Sequence, residues 1–322
     1  MRIQALLFFL SLVVALAFSS CARQEEKKPE MKRLVVVATL FPLYDFAKNV
    51  AGGRAEVILL LPPGAEPHGF EPKPADILRL NKADFFLYTS PDMEPWAADI
   101  LKGLQNRNLE VVDTSRGVIT GDGPAKREHR QNHPDNHKHG HHDHSGTADP
   151  HIWLDFGNAV KMVENIRDGL VKKDPAGKDV YEKNAASCIG QLKALDERFR
   201  KGLQACEKKV IVNGGHFAFD TMAKRYGFRH VSVYGVSPDA EPTAATLAKL
   251  TKLIRENRLD TLFHEELISP RVAETLARET GATLLKLHPA GNLTKEQFDR
   301  GETFITLMDR NLENLKTGLK CP

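Results

Sequence analysis

An α/β fold of two lobes, each a parallel sheet sandwiched between helices and joined by one long rigid helix, is what three features of this sequence predict. Apolar, β-rich runs alternate with amphipathic segments along the chain. Four such runs fall in each half, and one long helical period stands between the halves. At 322 residues, 41% hydrophobic and 27% charged, the chain is long enough for two lobes, each with its own core.

The chain opens with Met1-Arg2, an apolar run from Ala5 to Phe18, and Ser19-Ser20 before Cys21. A basic start, an apolar middle and a small-residue exit make residues 1–20 an export signal. A membrane anchor needs about 20 apolar residues, and this run is shorter and closed by serines. A cysteine directly after small residues resembles the bacterial lipobox, with Phe18 where leucine is commoner, so lipidation is expected at Cys21. Residues 21–33 are charged and contain Pro29, the composition of a solvated tether.

Residues 34–178 form the expected N-terminal lobe. Its strands are read in Leu34–Leu40, Val57–Leu61, Phe85–Tyr88 and Leu109–Asp113. The unbroken apolar run Leu34-Val35-Val36-Val37 is what a parallel strand covered on both faces requires. Gly117–Asp149 is rich in Gly, His, Asp, Asn and Lys and has no apolar period, so it reads as a disordered surface loop. Phe156 to Lys172 follows as a helix.

Residues 179–207 are the expected linking helix, read over Val180–Glu207 from Leu192, Leu195, Phe199 and Leu203 at three-to-four residue spacing. Roughly 28 helical residues span about 40 Å. Such a strut predicts little domain closure. The C-terminal lobe, 208–322, carries strand runs at Val210–Asn213, Val231–Tyr234, Thr261–Phe263 and Thr283–Leu287.

An exported protein favours disulfides. Cys188 and Cys206 share the linking helix, about 27 Å apart at the helical rise, whereas a bridge needs Cα atoms within about 7 Å. The expected pair is therefore Cys206 with Cys321, leaving Cys188 as a small buried residue.

Sixteen residues from His129 to His144 hold seven of the thirteen histidines: His129, His133, His137, His139, His141, His142 and His144. Imidazole suits zinc, copper, nickel or iron better than hard cations. The tract is expected to collect metal, but ordering a floppy loop costs entropy that a preformed cage does not lose, so the main site lies elsewhere. His68, His216 and His288 each follow a predicted strand, and His151 stands where the loop ends and a helix is about to begin. Ligands of open α/β sheets bind outside the carboxyl ends of strands, so two facing lobes would converge these four imidazoles in the interlobe cleft.

Pro67-His68-Gly69-Phe70-Glu71-Pro72, Asp149-Pro150-His151-Ile152-Trp153-Leu154-Asp155 and Pro238-Asp239-Ala240-Glu241-Pro242, in that order after Thr39-Leu40-Phe41-Pro42, resemble the metal-binding solute-binding proteins of bacterial zinc and manganese ABC importers, the ZnuA-like and TroA-like group. The resemblance covers nearly the whole mature chain. It implies two α/β lobes on one long helix, and a His-rich loop ahead of the second ligand. Carried over by position, it makes His68, His151 and His216 metal ligands. His288, in Leu287-His288-Pro289, takes a place where the family usually has aspartate. Should His288 point outward, Glu265 or a water completes the shell; Glu265 is otherwise expected to orient a ligating imidazole. His230 and His264 have no matching role and are read as structural.

The implied cargo is zinc, with manganese the alternative, disfavoured because it prefers carboxylate oxygens. The implied partners are an ABC permease and its ATPase, with the chain a monomer anchored through Cys21 at the cell surface or in the periplasm. Lys+Arg 45 against Asp+Glu 42 leaves +3 and no basic stripe to bind nucleic acid. A zinc hydrolase is the rival, since three histidines and a water also make a catalytic site. Its motif would need a histidine four residues after His264, where Ile268 stands, so a binding protein is expected, not an enzyme. A surface adhesin on the same fold is a third reading.

Overall fold

The computed structural model describes residues 33–119, 149–238 and 241–322. The predicted signal, Cys21, nearly all of the tether and the seven loop histidines lie outside the described residues. Among the described residues no helix is long and apolar enough to cross a membrane.

Two four-stranded parallel sheets form the frame. The first comprises β1 (Leu34–Ala38), β2 (Ala55–Leu59), β3 (Phe85–Tyr88) and β4 (Glu110–Asp113) in the order β2-β1-β3-β4. The second comprises β5 (Val210–Asn213), β6 (Arg229–Ser232), β7 (Thr261–His264) and β8 (Thr283–Lys286) in the equivalent order β6-β5-β7-β8. The edge strands β2 and β6 begin two residues earlier than their apolar runs, because the ladder pairs Leu34 with Ala55 and Val210 with Arg229. The apolar residues beyond the ladder stay bonded to the sheet: Leu60 N–H donates to Ala38 O at 2.8 Å and Val233 N–H to Asn213 O at 3.0 Å.

Strand alternation sends side chains to different cores. Val37 and Phe86 join Leu60, Leu80 and Leu104 on the outer face of the first sheet. Val212 and Leu262 join Leu250, Ile254 and Leu276 on the outer face of the second. The inner faces do not build two separate cores, as length alone suggested. Val36 and Phe85 of one sheet and Ile211 and Phe263 of the other belong to a single apolar cluster. That cluster is filled by α1 (Phe41–Ala51), α4 (Phe156–Lys173), α5 (Lys178–Leu203) and α10 (Phe304–Gly318).

The strut α5 runs for 26 residues, about 39 Å. It buries Tyr181, Ala185, Cys188, Leu192, Leu195, Phe199 and Leu203 as one stripe at three-to-four residue spacing. Cys206, just beyond it, is bonded to Cys321 after α10, and Cys188 is free and buried, both as expected. A crosslink across 115 residues restricts the unfolded chain by about 4–5 kcal/mol in the loop-entropy view.

Polar ties cross between the lobes as well. Asp45 of α1 accepts the Phe304 N–H that opens α10 at 3.0 Å, and Trp153 Nε1 donates to Pro289 O at 2.7 Å. Arg225, at the end of α6 (Asp220–Arg225), binds Asp155 at 2.9 Å and Asp196 of α5 at 2.6 Å. A shared core and these cross-ties join the two lobes.

Candidate metal centre

Each of three histidines is delivered by a loop at the carboxyl end of its lobe. His68 rides on the turn after β2, where Gly64 takes a left-handed φ of 88° and donates to Leu293 O at 2.6 Å. Glu66 Oε2 closes the same turn on Gly69 N–H at 2.9 Å. His151 opens a short 3-10 turn, Ile152–Leu154, and Asp155 then caps α4 by accepting from Gly157 and Asn158 N–H. His216 follows β5 through Gly214-Gly215. Both glycines are required by space: a Cβ on Gly214 would lie 2.5 Å from Ala273 Cβ, and one on Gly215 would lie 1.8 Å from Glu265 Oε1.

The three rings meet edge on. His151 Nε2 stands 3.0 Å from His68 Nε2 and 3.0 Å from His216 Nε2, and one ligand atom from each residue lies within 4.8 Å of the others. Tetrahedral zinc, at ~2.0–2.1 Å from nitrogen, would hold such atoms about 3.4 Å apart. Among the described residues this is the one His, Cys, Asp or Glu group with that property.

Carboxylates fix which nitrogen faces inward. Asp149 Oδ1 lies 2.8 Å from His151 Nδ1, and the same carboxylate takes the His151 backbone N–H at 3.0 Å. Glu265 Oε2 lies 2.7 Å from His216 Nδ1, off the axis of a well-aligned hydrogen bond but close enough for strong attraction. With their Nδ1 protons drawn outward, His151 and His216 turn two Nε2 lone pairs on each other. A shared proton or a cation would relieve that repulsion.

Electrostatics follow from this packing. Burial, then the neighbouring His151 and His216, pulls His68 down to a pKa of about 3. Burial also lowers His151, against the pull of Asp149. His216 goes the other way: burial opposes its charge, but the Glu265 carboxylate outweighs it and raises the pKa. Burial likewise opposes the charge of Asp149, yet its contacts with His151 hold it below the usual carboxylate range. Of the three rings, His216 is the one whose charged form its surroundings favour.

His288, expected as a fourth converging ligand, stands apart. Its Nδ1 accepts the Ala290 N–H at 2.9 Å, its Nε2 faces Gln297 Oε1 at 3.4 Å, and Asn311 brackets its backbone with two bonds of 2.8 Å. The ring is spent on folding its own turn, in which Ala290 adopts φ 57°. Glu265 takes the orienting role: Oε1 accepts His216 N–H at 2.7 Å and Asn213 Nδ2 at 2.9 Å while Oε2 serves the His216 ring. Asp149 was missed as a partner because it sits at the end of a polar run read as loop. The signal was an Asp two residues before a histidine, the spacing at which Asp accepts its own downstream N–H. His230, buried against Phe217 and Phe219 with ring centroids 4.9 and 5.8 Å away, is outside the converging group.

A pocket reaches the group from one side. Glu66, Pro67, His151, Trp153, His216 and Glu265 are among the residues that line it, and it is partly open to solvent.

Two parallel-sheet lobes on one long helix, with three imidazoles converging between them, define the class of helix-bridged solute-binding proteins. The chain belongs to the ZnuA family, zinc-uptake complex component A periplasmic, whose sequence profile matches residues 36–318. It is 39% identical over 308 residues to the high-affinity zinc uptake system protein ZnuA of Bacillus subtilis (strain 168), covering 96% of this chain and 94% of that one. It is 36% identical over 307 residues to the zinc-binding lipoprotein AdcA of Streptococcus pneumoniae serotype 4, covering 95% of this chain but spanning 59% of that relative's length. Among solved structures, the Zn(II)-bound ZnuA-like domain of Streptococcus pneumoniae AdcA matches with TM-score 0.74 at 35% identity, over 89% of this chain and 99% of the other. The laminin-binding protein Lmb of Streptococcus agalactiae, described as bifunctional with adhesin and metal-transporting activity, matches with TM-score 0.76 at 27% identity, over 89% and 100%.

Proposed function

We propose that this protein captures zinc outside the cytoplasm and hands it to an ABC permease driven by its ATPase. One observation carries the reading: the Nε2 atoms of His68 and His216 each lie 3.0 Å from that of His151, and His151 and His216 have Nδ1 against a carboxylate. An all-nitrogen donor set favours zinc, whereas manganese, the alternative cargo, prefers carboxylate oxygens. The protein works as a monomeric binding protein and not as an enzyme, with lobes at 34–178 and 208–322 about the helix 179–207. A lipid on Cys21 anchors it, a reading supported by the lipoprotein name of the AdcA relative. The Lmb match supports a second reading, a metal-dependent surface adhesin.

The test is element analysis of protein purified without added metal, followed by competitive titration of zinc against manganese. His68→Ala or His216→Ala should weaken zinc binding far more than deletion of residues 128–145. Equal losses would place the main site in the His-rich loop and sink the proposal.

A further inference from the structure

We propose that Asn292 of the C-terminal lobe is a positioning residue for His68: its side-chain amide clamps the turn that presents this ring, and so sets how tightly the three-histidine site holds zinc. The inference rests on the zinc-binding reading above and names a residue that acts on one ligand through that ligand's main chain.

The three rings are not held alike. His151 and His216 are 1% and 5% exposed, and each has Nδ1 against a carboxylate. His68 is partly exposed, so its direction depends on the backbone beneath it. That backbone is poor in donors, since Pro62, Pro63 and Pro67 have no N–H. The turn closes on itself through Ala65 N–H, which donates to Pro62 O at 3.0 Å, and through Glu66 Oε2 on Gly69 N–H at 2.9 Å.

The other lobe supplies a further grip. Asn292 Nδ2 donates to Pro62 O at 2.7 Å and to Ala65 O at 2.8 Å, across 230 and 227 residues of chain. The carbonyl of the following residue, Leu293, accepts Gly64 N–H at 2.6 Å. An amide that spends both hydrogens on two carbonyls is fixed in position and in plane. Asn292 is 1% exposed, so water does not compete for these bonds. The two carbonyls bracket Gly64, whose left-handed φ of 88° turns the chain toward His68.

Without the amide this turn would slacken while His151 and His216 kept their carboxylates. The lobes would stay joined around it, because Phe41 N–H holds Gly291 O at 3.1 Å and Trp153 Nε1 holds Pro289 O at 2.7 Å.

The experiment is a double-mutant cycle on the full chain, with zinc affinity read by competition with a chromophoric chelator. A parent that takes up no zinc, or a His68→Ala variant that binds as tightly as the parent, would overturn the zinc-site reading and this inference with it. With both conditions met, Asn292→Leu, which keeps the size and removes both donors, should weaken zinc binding about tenfold or more. Zinc release should speed up by a similar factor. In the His68→Ala background the same substitution should change affinity by less than about twofold, whereas in the His216→Ala background its full cost should persist. Asn292→Ala, which leaves space instead of filling it, should reproduce the pattern, with the melting temperature of each metal-free variant reporting the fold.

The proposal is overturned if both Asn292 variants bind zinc as the parent does. A cost that is undiminished once His68 is gone overturns it equally, since the amide would then support the site at large and not this ring. So does a failure of both variants to fold, which would make Asn292 a residue of the scaffold.

Discussion

The Glu265 carboxylate grips His216 twice: Oε2 stands 2.7 Å from the ring Nδ1, and Oε1 accepts the same residue's backbone N–H at 2.7 Å. Ring and main chain are therefore fixed together, so the His216 Nε2 direction is set before any ion arrives. Glu265→Gln keeps the shape and removes the charge. It should weaken zinc binding by about 10–100-fold, read by competition with a chromophoric chelator. An unchanged affinity would mean that the carboxylate does not tune the ligand.

Gly215 is the space through which that grip passes. Gly215→Ala would put a methyl 1.8 Å from Glu265 Oε1, so the carboxylate must withdraw. The expected cost is about 1–3 kcal/mol of stability, seen in denaturant unfolding, together with a loss of zinc affinity like that of Glu265→Gln. A stable variant with full affinity would show that Glu265 can act from another position.

Acid should release zinc one proton at a time. His216, raised above 6.5, competes with the ion first, while His68, at about 3, competes last. Zinc affinity should therefore start to fall above pH 6.5 and decline by about one decade per pH unit through the weakly acidic range, not three. A threefold proton slope in the titration would contradict this order.

Metal-free stability runs in two opposed senses over the same range. His216, with its raised folded value, contributes stability that is complete below the unfolded value of 6.5 and is lost as pH rises through the folded one. His68 and His151, both lowered, contribute stability present above 6.5 and lost as pH falls toward their folded values, about 3 for His68. His216→Ala should therefore make the metal-free melting temperature fall more steeply between pH 7 and pH 5 than in the parent. An unaltered slope over that window, measured by differential scanning calorimetry with chelator present, would rule out a charged His216.

His288 should matter to the fold and little to the ion. His288→Ala removes the acceptor of the Ala290 N–H and leaves that buried group unpaired, at a cost of about 1–3 kcal/mol. Zinc affinity should stay within about threefold, well under one decade. A loss as large as that of His68→Ala in the same titration would return His288 to the ligand set.

Much of this molecule could be read from its residues. Phe85–Tyr88 and Val210–Asn213 match their apolar runs end for end, because a strand buried on both faces has no choice of composition. Helix reach excluded a Cys188–Cys206 bond, and Cys206 is bonded to Cys321. Strand-end position correctly brought His68 and His216 together, but it could not distinguish them from His288, whose ring is claimed by Ala290 and Gln297. Placement at a cleft is a property of the strand; orientation is a property of local hydrogen bonding. The shared inner core was equally hidden, since an alternating strand reads the same whether its inner face meets its own helices or those of both lobes.

That common interior has a further consequence for cargo handling. Lobes tied through one core should give a docking partner little change of outline to recognise. Small-angle scattering of loaded and stripped protein should superimpose. Occupancy is then expected to be read, and cargo unfastened, at a local latch, and of the three converging histidines His68 is the one that is partly exposed. The molecule is a fixed vice with one jaw that can slip.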